Sequence, residues 1–113
     1  MSSAELGELE PFRIEVEPSR DVVRVIPVGD LDLATTDNLR DEIERLHGAG
    51  FNRLVLDLRQ LRFMDSTGLR LILEVDAGSR DDGWDFSLVR GPDAVQRLFE
   101  LTNLTGRLDF VDG

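Results

Sequence analysis

Apolar runs of two kinds along the chain predict β-strands. Phe12, Ile14 and Val16 alternate with polar neighbours, as in a strand with one buried face, and residues 22–26 form a richer apolar run. A turn signal at 18–20 separates the two runs, so we expect an antiparallel hairpin. Three later strands are predicted by the same criteria, at 54–58, 85–89 and 108–111.

Apolar positions at helical spacing predict three helices between these strands. The first begins at Thr35 or Thr36, which would cap it, and ends at Gly48. The second is expected over residues 66–78, and the third opens at 91–93, where a proline suits the first turn of a helix. Strands that alternate with helices after a hairpin form βαβ units with parallel strands. The predicted fold is therefore α/β, with a mixed sheet and helices packed against it.

The length of the chain fits one such domain. Residues 11–113 carry all the predicted elements, whereas residues 1–10 are polar, lack periodicity and are predicted to be a flexible lead-in. These ten residues include three glutamates and no apolar core, so they do not resemble a secretory signal. No later apolar run approaches membrane-spanning length. We therefore expect a cytoplasmic domain without a membrane segment.

The charge of the chain favours a protein as partner. The net charge is −10, from 23 acidic and 13 basic side chains, and such a surface repels nucleic acid and anionic membranes. A basic protein surface is the natural counterpart. Oligomeric state stays open between a monomer and a weak dimer.

The sequence contains few of the residues and motifs that catalysis requires. His47 is the only histidine, and its place in the last turn of the first helix predicts a solvated or dipole-capping side chain, not a general base. No cysteine, glycine-rich phosphate loop, dinucleotide fingerprint or calcium loop is present. We therefore predict that the chain is a binding protein and not an enzyme, and that it binds no cofactor and no metal. A small hydrolase that uses Asp65 and Ser66 is a rival hypothesis, but no base is visible for it.

The most informative stretch is the end of the strand-like run 61–64, where Asp65, Ser66 and Thr67 precede a helix. A hydroxyl at a helix N-terminus lies where backbone N–H groups and the macrodipole favour a phosphoryl group. Ser66 is thus a candidate switch residue, although serine before a helix is also a common N-cap. Gly68 leaves the backbone open to a partner or, alternatively, allows close packing of helix on sheet.

Residues 63–69, Phe-Met-Asp-Ser-Thr-Gly-Leu, resemble the signature of bacterial anti-sigma factor antagonists, the small stand-alone STAS domains. Further similarity lies in the run 29–32 with its threonine-containing helix start, in the strand 54–58 and in the run 95–104. Together these matches span nearly all of residues 12–112.

The resemblance implies partner switching in transcription regulation. In that family the unphosphorylated protein binds an anti-sigma factor, a serine kinase of the histidine-kinase ATPase fold, and so frees a sigma factor. The kinase phosphorylates the serine, here Ser66, which releases the antagonist, and a metal-dependent serine phosphatase resets it. ATP and magnesium would belong to the kinase. The resemblance implies partner-binding roles for these residues: Asp30, Asp32, Asp65, Thr67, Gly68, Leu69 and Arg70.

Two further questions stay open, one about Arg70 and one about the function itself. Many relatives have glycine where Arg70 stands, so Arg70 could select the kinase, pair with a phosphoryl group on Ser66, or be simply solvated. A constitutive STAS scaffold, for example a cytoplasmic subunit of a lipid transporter, is the alternative function, and in that case Ser66 would be only a helix cap.

Overall fold

A computed structural model describes residues 11–113, which form one six-stranded sheet and three α-helices. The lead-in predicted for residues 1–10 lies outside the described residues. The α/β class with a mixed sheet is confirmed. In chain order the elements are β1 (Arg13–Ser19), β2 (Val22–Leu31), α1 (Thr36–Gly48), β3 (Arg53–Asp57), β4 (Leu61–Met64), α2 (Ser66–Asp82), β5 (Asp85–Val89), α3 (Asp93–Leu101), a 3₁₀ turn (Thr105–Arg107) and β6 (Phe110–Val111).

The strand order is β1-β2-β3-β5-β6, and β4 pairs with β2 beside β3. β1 and β2 form the predicted antiparallel hairpin, in which Val16 lies opposite Val25. All other strand pairs are parallel. Helices connect β2 to β3, β4 to β5 and β5 to β6 and pack against the sheet, which agrees with the predicted βαβ units.

The long strand β2 has two successive partners on one side. Its first half pairs with β3, and its last residues pair with β4, with a register shift between Gly29 and Asp30. Gly29 has φ of 109°, a conformation that glycine adopts without steric cost, and this suits it to the irregularity. The pairing of β4 with β2 was not predicted. It brings the residue after β4 beside the residue after β2.

The hydrophobic core lies between the sheet and the helices. Alternate residues of the central strands point into it, as the period of two in a strand requires. Each fully buried aliphatic side chain contributes about 1.5–3 kcal/mol. The core includes Val23, Val25, Leu54, Leu56, Phe86 and Leu88 from the sheet and Leu39, Ile43, Leu46, Leu71, Ile72, Val95 and Phe99 from the helices.

Some predicted boundaries were wrong. α2 does not end at Gly78 but continues to Asp82, because the left-handed C-cap that ends it is Gly83, with φ of 74°. The last strand is shorter than the predicted 108–111, since Leu108 instead follows the 3₁₀ turn and only Phe110–Val111 pair with β5. Thr35 occupies the N-cap position of α1, but its side chain makes no capping hydrogen bond.

Candidate functional site

Two chain segments meet where β2 and β4 end. The N–H of Asp65 donates to the carbonyl oxygen of Leu31 (3.1 Å), which joins the end of β4 to the end of β2. The hydroxyl oxygens of Thr36, at the start of α1, and Thr67, at the start of α2, are 3.4 Å apart. The loop 32–35 and the turn 65–67 therefore form one continuous surface at the carboxyl ends of parallel strands, the usual place for sites in such sheets.

Asp65 is the N-cap of α2. Its backbone is extended, and its Oδ1 accepts hydrogen bonds from the N–H of Thr67 (2.9 Å) and the N–H of Gly68 (3.3 Å). The alternative in which Ser66 caps the helix is therefore wrong, because the preceding aspartate already takes the first unpaired N–H groups of the helix.

The same contacts hold Asp65 in its ionised form. Partial burial disfavours the charge and is the largest single effect on its pKa. Hydrogen bonds from the Thr67 hydroxyl and from the N–H groups of Gly68, Thr67 and Leu33 together outweigh burial and lower the pKa below its usual value. A fixed negative charge thus lies directly before Ser66.

Ser66 is the first residue of α2 and is exposed. Its hydroxyl makes no hydrogen bond to any of residues 11–113. Thr67 differs, because its hydroxyl donates to Oδ1 of Asp65 at 2.5 Å and the residue is half-buried. Of the two adjacent hydroxyls, that of Ser66 is the one available for chemistry.

Gly68 and Leu69 lie beneath this surface. A Cβ on Gly68 would be 2.7 Å from Cγ of Met64 and 2.9 Å from Cγ of Leu31, so the close packing of helix on sheet that was one reading of this glycine is confirmed. Leu69 is only 6% exposed and packs in the core. Both residues support the turn from below instead of forming its outer surface.

The acidic loop after β2 is built around Asp32. Its Oδ1 accepts from the N–H of Ala34 (3.0 Å), and its carbonyl oxygen accepts from the N–H of Thr36 (2.9 Å). The hydroxyl of Thr35 donates to the carbonyl oxygen of Asp30 (2.8 Å). These bonds fix the loop shape, and Asp32 remains half-buried at its surface. The side chain of Asp30 is 3.4 Å from Nε of Arg62.

Two exposed apolar side chains flank the turn, and the sequence pattern did not predict their exposure. Leu33, whose N–H reaches the Asp65 carboxylate, is 78% exposed, and Phe63, two residues before Asp65, is 50% exposed. Large apolar side chains around a polar centre are typical of protein interaction surfaces. The signal in the sequence for an exposed apolar residue was Leu33, which lies within the loop 32–35. Arg70 is exposed, and it lines a shallow groove together with Leu33, Thr36, Thr67 and Glu74.

Groups for catalysis do not converge on Ser66. His47 lies at the other end of α1, about 16 Å along the helix axis from Thr36, and its ring stacks on Trp84. Within the described part of the chain, no three His, Cys, Asp or Glu side chains are arranged to hold a metal ion. Across the same residues, no helix is both long and apolar enough to cross a membrane. What the described residues present at this point is the exposed hydroxyl of Ser66 near exposed apolar side chains and acidic side chains.

The sequence matches a known domain family and named relatives. A family model described as "Mlab, STAS domain" matches residues 13–112. The anti-sigma F factor antagonist of Paenibacillus polymyxa is 32% identical over 94 residues, which cover 82% of this chain and 80% of the relative.

Solved structures show the same fold. An anti-sigma factor antagonist from Thermotoga maritima matches with a TM-score of 0.81 and 24% identity, covering 88% of this chain and 86% of the other. The Bacillus cell fate determinant SpoIIAA in its phosphorylated form matches with a TM-score of 0.69 and 21% identity, covering 91% of each chain. At these identities the likeness concerns the fold alone.

Proposed function

The chain belongs to the STAS domain family, and on this premise we propose that it is an anti-sigma factor antagonist regulated by phosphorylation of Ser66. Curated relatives with this name, such as that of Paenibacillus polymyxa, support the general role. In the proposed cycle the unphosphorylated protein binds a serine-kinase anti-sigma factor and a sigma factor is freed. The kinase then phosphorylates Ser66, the complex dissociates, and a serine phosphatase restores the binding form.

The observation that carries the proposal is the state of the Ser66 hydroxyl. It is exposed, it makes no hydrogen bond within residues 11–113, and it follows an aspartate that already caps the helix. A kinase can therefore reach it without breaking the fold. A solved relative of the fold is described in a phosphorylated form, which agrees with this role but belongs to that protein.

Phosphorylation would act at the interface and leave the fold intact. It adds roughly two negative charges at the N-terminus of α2, where the helix dipole tolerates an anion. The docked partner would instead have to desolvate a dianion beside the ionised Asp65, which costs binding energy. Unphosphorylated Ser66 avoids that cost.

The proposed docking surface surrounds Ser66. Its apolar contacts are Leu33 and Phe63, and its charged contacts are Asp30, Asp32 and Arg70. The acidic side chains suit a basic patch on the kinase, which agrees with the net charge of −10. ATP and magnesium would be bound by the kinase, and this chain supplies only the acceptor hydroxyl. A cytoplasmic location is part of this proposal.

Intact-mass measurement tests the proposal. Wild type and Ser66→Ala are incubated with ATP, magnesium and each kinase-fold anti-sigma factor of the source organism, with Ser19→Ala as a matched variant at an exposed serine on β1. One added phosphoryl group in wild type and Ser19→Ala, absent in Ser66→Ala, is the expected result. No phosphorylation by any candidate kinase would reject the switch and favour the rival function, a constitutive STAS scaffold such as a subunit of a lipid-transport complex.

A further inference from the structure

A groove runs between α1 and α2, which lie side by side and point the same way. At one end the hydroxyls of Thr36 and Thr67 meet, and further along Nη2 of Arg40 contacts Oε2 of Glu74 at 3.1 Å. At the far end the rings of His47 and Trp84 stack, with centroids 4.4 Å apart. The groove beyond the Arg40–Glu74 pair lies away from the Ser66 surface, since Gly78 on its wall is about 18 Å along α2 from Ser66.

This far part of the groove, which we call the tryptophan groove, has an apolar floor and an acidic rim. Its volume is about 250 Å³. Ile43, Leu71 and Val75 form the floor, and the stacked rings of His47 and Trp84 close the end. The remaining lining residues are Arg40, Glu44, Glu74, Gly78 and Asp82.

Gly78 keeps the groove open. A Cβ at this position would meet nothing within 4 Å, and its φ lies outside the left-handed region, so neither packing nor backbone geometry requires glycine. Glycine inside a helix is unfavourable relative to alanine. The missing side chain leaves room for a bound group to approach the backbone of α2 closely.

The charges at the rim favour a cation. Arg40 is already held by Glu74 and Asp37. Glu44 and Asp82 are exposed, and neither makes an ion pair with any residue from 11 to 113. Two unpaired carboxylates beside an apolar floor and an aromatic end wall suit a guanidinium group, because its plane stacks on aromatic rings while its N–H groups donate to carboxylates. Arg40 already makes a contact between a guanidinium group and a carboxylate across the two helices, with Glu74.

We propose that the tryptophan groove receives an arginine side chain of a partner protein. The volume of the groove is below the roughly 300–1,000 Å³ of pockets that enclose small molecules, and it suits one long side chain. Such a side chain would serve as an anchor within a wider interface. The site does not require phosphorylation of Ser66, so it stands independently of the proposed switch.

The test uses the full chain and a defined probe. N-acetyl-arginine amide is titrated into the ¹⁵N-labelled protein at constant ionic strength, and the neutral isostere N-acetyl-citrulline amide is the control. Trp84 is the only tryptophan, so its indole N–H signal and its fluorescence report directly on the groove. We expect saturable changes at Trp84 and Gly78 with the arginine probe, and binding at least about fivefold weaker with citrulline.

Variants assign the binding to the groove. Glu44→Gln combined with Asp82→Asn should weaken the arginine probe by about fivefold or more, whereas the matched pair Asp81→Asn with Glu100→Gln, which neutralises exposed acids outside the lining, should not. Gly78→Leu should abolish binding because its side chain would fill the groove, and a circular dichroism spectrum checks its fold. Equal responses to the two probes, or undiminished binding in folded Gly78→Leu, would overturn the proposal.

Discussion

The two ends of the α1–α2 pair differ in how completely their groups are bonded. At the Ser66 end, Asp65 accepts N–H and hydroxyl hydrogens, Thr67 is bonded to it, and Gly68 is packed against the core. At the Trp84 end, Gly78 faces open space and two rim carboxylates have no ion pair within residues 11–113. One pair of helices thus presents a rigid polar turn with a single free hydroxyl at one end and an open groove at the other.

Substitutions of Gly68 and Gly78, the two glycines of α2, test the difference between the two ends most strongly. Gly68→Ala should lower the free energy of unfolding by about 1–3 kcal/mol, because the added Cβ overlaps Cγ of both Met64 and Leu31. Denaturant unfolding measures the effect, with Gly78→Ala as the control in the same helix. Unchanged stability of Gly68→Ala would mean that the contact of α2 with the sheet is looser than the structure shows.

The next effect concerns binding at the Ser66 end. Ser66→Asp should weaken the complex with the kinase identified by phosphorylation at least tenfold, or about 1.4 kcal/mol, since a second carboxylate beside Asp65 must be desolvated in the interface. Calorimetry measures the affinity. Ser19→Asp adds the same charge at an exposed position and should bind as wild type. If both variants bound equally well, charge at position 66 would not control the partner.

The cap of the polar turn should be sensitive to pH. Asp65→Ala should cost about 1 kcal/mol of stability, because two N–H groups of α2 lose their acceptor. The folded pKa of Asp65 is lowered from 3.8, so the stabilisation by its ionised form is complete above the unfolded pKa and is lost as pH falls through the folded pKa.

Asp65→Asn separates the charge from the cap, since asparagine caps helices about as well as aspartate. Its stability deficit should therefore be present at neutral pH and should shrink as the pH falls below 3.8. Chemical unfolding at several pH values measures the difference. A deficit that grows on acidification would have the opposite sign and would contradict the lowered pKa.

Much of the fold could be predicted from the sequence because its elements follow local rules. The alternation at Phe12, Ile14 and Val16 and the helical spacing around Leu39 and Ile43 depend only on which face is buried. The partner of β4 could not be predicted, since a four-residue strand carries no information on which neighbour it pairs with. The end of α2 was misplaced because Gly78 and Gly83 look alike in sequence, while only Gly83 has the positive φ of a C-cap.

The position of the candidate site in the fold could be predicted from the sequence, but its hydrogen bonds and its exposed side chains could not. The position of Ser66 at a helix start follows from the pattern. Whether Asp65 or Ser66 caps α2, however, depends on placing the start of the helix correctly to within one residue. The exposed side chains of Leu33 and Phe63 were missed because apolar residues are expected inside, and only the topology shows these two outside. The tryptophan groove needs the parallel arrangement of α1 and α2, which no local pattern specifies.

At the open end, Gly78→Ala should raise the free energy of unfolding by about 0.5–1 kcal/mol. The added methyl group meets nothing within 4 Å, and alanine restricts the unfolded chain and favours the helix. Thermal and denaturant unfolding should both show the gain. Gly83→Ala, at the C-cap with φ of 74°, is the contrasting variant and should be destabilised. A loss of stability in Gly78→Ala would mean that its surroundings are already filled.

The smallest expected effect separates the two roles considered for Ser66. A capping serine would lose about 1 kcal/mol on replacement by alanine, whereas an exposed hydroxyl without a hydrogen bond should lose less than about 0.5 kcal/mol. We expect Ser66→Ala to fall in the second class, because Asp65 performs the capping. Denaturant unfolding of Ser66→Ala and Asp65→Ala under the same conditions shows which of the two residues caps the helix. Equal losses would give the serine a share in the cap and would mean that its phosphorylation perturbs the fold as well as the interface.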